Sequence, residues 1–205
     1  MASLVAAAKP VLGLESAGAL MTPVEFDAVR SWDESYRYEL IHGVLVVAAL
    51  PLPMETGPNE TLGVWLANYQ MQGGELDGTL PEQIVRTSES RRRADRLIWV
   101  GLGRYPNVRT DLPSIVVEFV SSSRRDRKRD YGEKRNEYMA LGIAEYWIID
   151  RFRRTLTVVR NVDSGFEEEV ILEKETYKPS LLPGFKLPLK KLLAVADAWS
   201  RSQAE

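Results

Sequence analysis

Ser114-Ile115-Val116-Val117-Glu118-Phe119-Val120, a helix-patterned segment up to Leu141, and Glu145-Tyr146-Trp147-Ile148-Ile149-Asp150 together decide the fold class. A short, nearly unbroken apolar run is what a strand covered on both faces looks like. Between the two runs, Tyr131, Lys134, Arg135, Tyr138 and Leu141 recur at helical spacing and Gly142 supplies the residue that ends a helix, so a helix is expected over Asp126 to Leu141. Strand, helix, strand makes one right-handed parallel crossover. Alternation along the first strand sets Val116, Glu118 and Val120 on one face and Ile115, Val117 and Phe119 on the other. Trp147 in the second strand reads as core.

Outward from this unit the pattern stays mixed. Thr22-Pro23-Val24-Glu25 predicts a capped helix start running to about Ser31, and Tyr36 to Ala49 reads as two strands turned at His42-Gly43. Leu62, Trp65, Leu66 and Tyr69 predict a helix over Asn59 to Met71, stopped by Gly73-Gly74. Gln83 to Thr87 and Ala94 to Val100 read as a second hairpin across an arginine-rich turn. Thr155 onward, with Asp163-Ser164-Gly165 as its turn, predicts a third hairpin, and a short helix is expected at about Leu189 to Trp199. The sum is an α/β (α+β) fold: a mixed β-sheet core flanked by helices, with β-hairpins. One domain over residues 21–199 is expected, with a loosely held extension at 1–20 and a tail at 200–205.

Composition removes several chemistries. The 205 residues contain no cysteine and a single histidine, so thiolate nucleophiles, disulfides and imidazole zinc clusters are excluded. Neither a run long enough to span a membrane nor a basic leader is present, which makes a cytoplasmic protein with no membrane partner the expectation. The net charge of -2 hides a segregation: residues 1–85 carry -8, residues 86–160 carry +8 and residues 161–205 carry -2. The basic block, with Arg91, Arg92, Arg93, Arg124, Arg125, Arg127 and Lys128, suits phosphate contacts or else forms a solvated face against the acidic first third.

An acid among valines must be protonated, paired or bound to a metal, which singles out Glu118. Asp95 after the arginine triplet and Glu39 on the first hairpin are the other candidates. Two or three carboxylates without thiols suit a hard cation such as magnesium or manganese, which takes oxygen ligands. The alternative is a salt bridge from a buried acid to Arg96 or Arg135. His42 reads as an exposed turn residue, Tyr138 as core packing on the Lys134 face, and Ser121, Ser122 and Ser123 as a loop with capping or phosphate contacts.

Taken in order, LMTPVEFD, RYELIHGVLVV, RRRADRLIWV, SIVVEFVSSS, KRNEYMALGIAEYWIID and SLLPGFKLPL resemble the Uma-type family of restriction endonucleases, a branch of the PD-(D/E)XK nuclease superfamily, over Met21 to Leu193. The resemblance implies a restriction-endonuclease-like core and a magnesium-dependent endonuclease acting on nucleic acid, DNA foremost, with a homodimer compatible. By position it makes Asp95 and Glu118 the metal-holding acids, the Phe119 backbone carbonyl a further ligand and Glu39 an additional acidic candidate. Ala94 replaces the usual proline, and Val120 stands where the simple pattern has its lysine. The family pattern places that lysine on the following helix, at Lys134, with Lys128 as the fallback. Where this family often has a histidine at the start of the 59–71 helix, the chain has Asn59 and Glu60. The rival reading is a catalytically weak or inactive member that binds nucleic acid or a partner protein.

Overall fold

The computed structural model of the chain describes residues 11–121 and 129–203. Arg124, Arg125, Arg127, Lys128, Ser122, Ser123, the first ten residues of the expected extension and the last two of the expected tail lie outside the described residues. The chain divides between Leu50 and Pro51, Val85 and Arg86, and Arg92 and Arg93 into two compact units.

In the first unit, α1 (Pro23–Ala28) starts on the expected capping box: Thr22 Oγ1 accepts the Glu25 amide at 3.2 Å and the Thr22 amide donates to Glu25 Oε2 at 2.7 Å. It stops short of Ser31 because Val29 already has extended backbone, ψ 132°. Strands β1 (Tyr36–Ile41) and β2 (Val44–Ala49) pair antiparallel. Their turn holds His42 and Gly43 at φ 47° and 79°, the two consecutive left-handed residues that match the twist of a tight hairpin. Phe26, Tyr38, Leu40 and Leu45 form this unit's core. Glu39 lies opposite Val46. As expected for a turn residue, His42 is more than half exposed, with Nδ1 3.3 Å from Glu89.

The second unit is built on β3 (Gly78–Arg86), β4 (Arg91–Trp99), β5 (Ile115–Phe119), β6 (Glu145–Asp150), β7 (Thr155–Val162) and β8 (Gly165–Leu172). They run in the order β4-β5-β6-β7-β8 with β3 also on β4, and the last residue of β3 and the first two of β4 belong to the other unit. The neighbours β5 and β6 are parallel, joined as expected through a helix, and β4-β5, β6-β7 and β7-β8 are antiparallel. One face carries Ile115, Val117, Phe119, Trp147 and Ile149 under α2 (Pro53–Met71) and the C-terminal helix. The other carries Val116, Val120, Tyr146 and Ile148 under Tyr138 and Met139 of α3 (Arg135–Leu141). The C-terminal helix α4 spans Leu189–Ser202, and a two-stranded piece pairs β9 (Thr176–Tyr177) with β10 (Leu187–Pro188).

Two further sequence expectations change. The helix expected from Asn59 begins at Pro53, where the Leu52 amide is capped by Glu55 Oε2 at 3.0 Å and proline occupies N1; Pro58 is carried inside the helix. The arginine triplet forms no turn. Residues 87–90 make the turn, closed by the Ser90 amide on Thr87 Oγ1 at 2.9 Å, and Arg91, Arg92 and Arg93 are strand residues.

α2 is tied to β4 by a buried arginine. Arg96 donates to Asn59 Oδ1 at 2.7 Å and to the Asn59 carbonyl at 2.9 Å, while Asn59 Nδ2 donates to the Asp95 carbonyl at 2.7 Å. The guanidinium fits because residue 63 is glycine: a Cβ there would stand 2.6 to 2.9 Å from its atoms. Gly63→Ala should therefore cost about 1 to 3 kcal/mol, the range for overpacking a core, read as a lower urea midpoint at unchanged slope.

Candidate active site

Register brings the acids together. β4 and β5 pair Arg96 with Val117 and Leu97 with Val116, so one further step sets Asp95 across from Glu118. The Asp95 carboxylate confirms the approach by accepting the Phe119 amide through Oδ2 at 2.7 Å. The backbone of Asp95 is fixed by Asn59, so both the main chain and the side chain of this residue are anchored.

Lys134 enters from a π-helical turn, Arg129–Lys134, that leads directly into α3. Such wide turns are uncommon and recur at functional sites. The ammonium lies 2.8 Å from Glu118 Oε1, donates to the Arg93 carbonyl at 3.2 Å and has Asp130 Oδ1 at 3.7 Å. The Lys134 and Glu118 side chains are only 8% and 5% exposed, so this is a buried ion pair and not a solvated one. Tyr138, one turn along the same helix face, donates its hydroxyl to Glu118 Oε1 at 3.3 Å. Tyr146 stacks edge-on to Tyr138 with centroids 5.1 Å apart and donates to the Asp130 carbonyl at 3.1 Å, which anchors the start of the π-helical turn.

The electrostatics follow from this burial. Loss of water pushes the Glu118 carboxyl well above the usual carboxylate range; Asp95 and Asp130 push the same way, and the Lys134 ammonium opposes them. Among the described residues, both hydrogen bonds of Glu118 fall on Oε1. Oε2 is thereby the oxygen left for a cation. No group of three or more His, Asp or Glu side chains fit to hold a metal ion occurs among the described residues. The donors at this end of β5 are instead two carboxylates, Asp95 and Glu118, with the Phe119 carbonyl next in the chain. That set suits magnesium, which is bound through one or two carboxylates and retains waters.

The salt-bridge alternative finds other partners than those expected. Glu118 pairs with Lys134, Arg96 bonds to Asn59 and Thr79, and Arg135 pairs with Glu168 at 2.6 Å. Of the basic patch expected at Arg91 to Arg93, the first two residues are buried. Arg91 is buried on Asp27 at 2.8 Å, Arg92 is fully buried, and Arg93 donates to the Glu82 carbonyl at 2.8 Å. Arg91 and Arg92 are thus covered within the strand, whereas Arg93 stays partly exposed. Glu39 lies in the first unit, whereas Asp95, Glu118 and Lys134 lie in the second.

Two contributors escaped the sequence reading. Asp130 was legible only as a helix residue, although its spacing of four from Lys134 places the two on one face. Tyr138 is the core residue expected, fully buried, and its hydroxyl also orients Glu118. Tyr138→Phe removes that bond and keeps the ring. It should cost about 1 kcal/mol of stability and, with Glu118 as a metal ligand, would weaken magnesium binding by about 10- to 100-fold, the loss usual when a group orienting such a ligand is removed. Calorimetric titration with magnesium checks it.

A mixed sheet with helices on both faces and one central parallel pair, with Asp95 and Glu118 meeting at the end of β5, defines the class as an α+β fold. The chain is similar to a crystal structure from Anabaena variabilis described as "a putative nuclease", with TM-score 0.67 and 16% identity, over 86% of this chain and 99% of that one. At that identity the likeness establishes the fold. The family follows from sequence: the Uma2 family, described as "Putative restriction endonuclease", matches residues 24–190, and the chain belongs to it. No curated protein matches the chain. Among the described residues no helix is long and apolar enough to cross a membrane.

Proposed function

We propose that this protein is a divalent-metal-dependent endonuclease that hydrolyses phosphodiester bonds of nucleic acid, DNA foremost. The observation that carries the reading is the buried Glu118, held by Lys134 at 2.8 Å beside Asp95 on the adjacent strand. Asp95, Glu118 and the Phe119 carbonyl would hold magnesium or manganese. When bound, the cation supplies Lewis-acid stabilisation of charge at phosphorus and a lower pKa for a nucleophilic water.

The chain's own residues do the positioning. Asp95 is fixed through the Phe119 amide and Asn59, so its carboxylate is ordered before any ligand arrives. Tyr138 and Lys134 hold Glu118 through one oxygen and leave the other free to ligate. Lys134 places its ammonium beside the acids, where it orients the attacking water and stabilises the charge that develops on the phosphoryl oxygens. Asp130 and the Arg93 carbonyl keep that ammonium in place. Val120, whose side chain is apolar, needs no part in this because the helix lysine reaches the same carboxylate.

Incubation of supercoiled and linear DNA with magnesium, with manganese and with chelator tests the proposal. Nicking or cleavage confined to the metal-containing reactions is expected. Absence of cleavage together with absence of magnesium binding in calorimetry would sink it and leave the binding-module reading.

A further inference from the structure

Three arginines, Arg151, Arg153 and Arg154, occupy the turn from β6 into β7. Because β5 and β6 run parallel with Phe119 beside Ile149, that turn lies at the same end of the sheet as Glu118. Ligands of parallel sheets sit outside the carboxyl ends of the strands. Arg154 is committed to the protein through Glu173 at 2.6 Å and Asp197 at 2.8 Å. The other two differ.

Arg151 donates to a neutral hydroxyl, Ser200 Oγ, at 3.1 Å, and its guanidinium lies 4.2 Å over the Phe152 ring; among the described residues it makes no ion pair. The Arg153 side chain is 70% exposed, and its guanidinium lies 4.9 Å over the Tyr131 ring. Its acid neighbour, Asp150 at 3.8 Å, already accepts the Tyr131 hydroxyl at 3.0 Å and the amides of Phe152 and Arg153 at 2.8 and 2.9 Å. Tyr131 belongs to the π-helical turn that carries Lys134, whereas Ser200 belongs to α4 on the opposite face of the sheet. The two arginines therefore flank the tip of β6, one on each side.

A guanidinium held over an aromatic ring keeps its place while its remaining N–H groups can donate to phosphate oxygens. We infer that Arg151 and Arg153 form a clamp for the phosphodiester backbone where a nucleic-acid strand crosses the carboxyl ends of β5 and β6. The identity of the ligand rests on the nuclease reading; the clamp replaces the phosphate contacts that the inward-turned Arg91 and Arg92 do not offer.

The test is binding of a short labelled DNA, as duplex and as single strand, by fluorescence anisotropy in chelator from about 50 to 200 mM salt. In the Arg151→Gln/Arg153→Gln variant the log–log salt slope should shrink by about 1.8 for duplex or about 1.4 for single strand, and affinity at low salt should fall at least about tenfold. Arg104→Gln, which removes an exposed arginine paired with Asp111 at 2.6 Å, should leave the slope as it is. Should loss of the Ser200 contact loosen α4, Arg153→Gln alone carries half the change in slope. A folded double variant with the wild-type slope overturns the clamp, even if magnesium-dependent cleavage is found. A reduced slope with neither cleavage nor magnesium binding by the wild type supports the clamp and removes the nuclease reading. No binding by the wild type at low salt overturns both.

Discussion

Lys134→Met is expected to slow cleavage at saturating magnesium by about 100- to 1,000-fold, the usual loss when one electrostatic donor at a developing charge is removed. Magnesium should still bind, because lysine is no ligand and Glu118 Oε2 is unaffected. The variant also leaves a buried carboxylate without its cation, which costs about 3 to 5 kcal/mol where the survivor stays charged. Glu118 has an escape: burial already holds its carboxyl well above the ordinary range, and without Lys134 protonation becomes easier still. The sign follows from linkage. A carboxyl whose folded pKa lies above the unfolded one binds more protons in the folded state, so stability falls as pH rises between the two values. The deficit of Lys134→Met relative to wild type should accordingly widen from mildly acidic to neutral pH, and magnesium should narrow it. Urea unfolding across that range, with and without magnesium, checks the expectation; a deficit constant with pH would mean that Lys134 acts through packing alone.

The central crossover was legible because periodicities of two and of 3.6 are set by local geometry, and β5, α3 and β6 obey them. Glu118 stood out for the same reason, as an acid on a face otherwise filled by Val116 and Val120. Its partner depended on where the helix lands on the sheet, a tertiary fact that only the family pattern supplied for Lys134. The arginine triplet misled because charge argues for solvent, while Asp27 and the Thr87 and Ser90 carbonyls satisfy Arg91 inside the fold. Pro58 hid the first turns of α2, since a proline reads as a breaker, yet Pro53 and Glu55 cap a helix that begins a full turn earlier. Asp130 was overlooked because a π-helical turn precedes α3, and the pattern of apolar residues does not reveal that turn.

Glu118→Gln should abolish metal-dependent cleavage and the stabilisation that magnesium confers, while the fold survives. The amide is nearly isosteric, and its carbonyl oxygen can still accept the Lys134 ammonium and the Tyr138 hydroxyl. What disappears is the negative charge that, with Asp95, would hold a hard cation. For the wild type, magnesium at 100 times its dissociation constant should add about 2.7 kcal/mol to stability, because it binds the folded state alone; the variant should gain none. In the absence of metal the substitution removes a charge that burial and the neighbouring Asp95 and Asp130 all disfavour. It also weakens the hold on a buried ammonium, which keeps Asp130 and the Arg93 carbonyl as partners. The two effects oppose each other, so metal-free stability should lie close to wild type. A large metal-free loss, with magnesium stabilising wild type and variant equally, would assign Glu118 to a structural ion pair with Lys134 and move any metal site elsewhere.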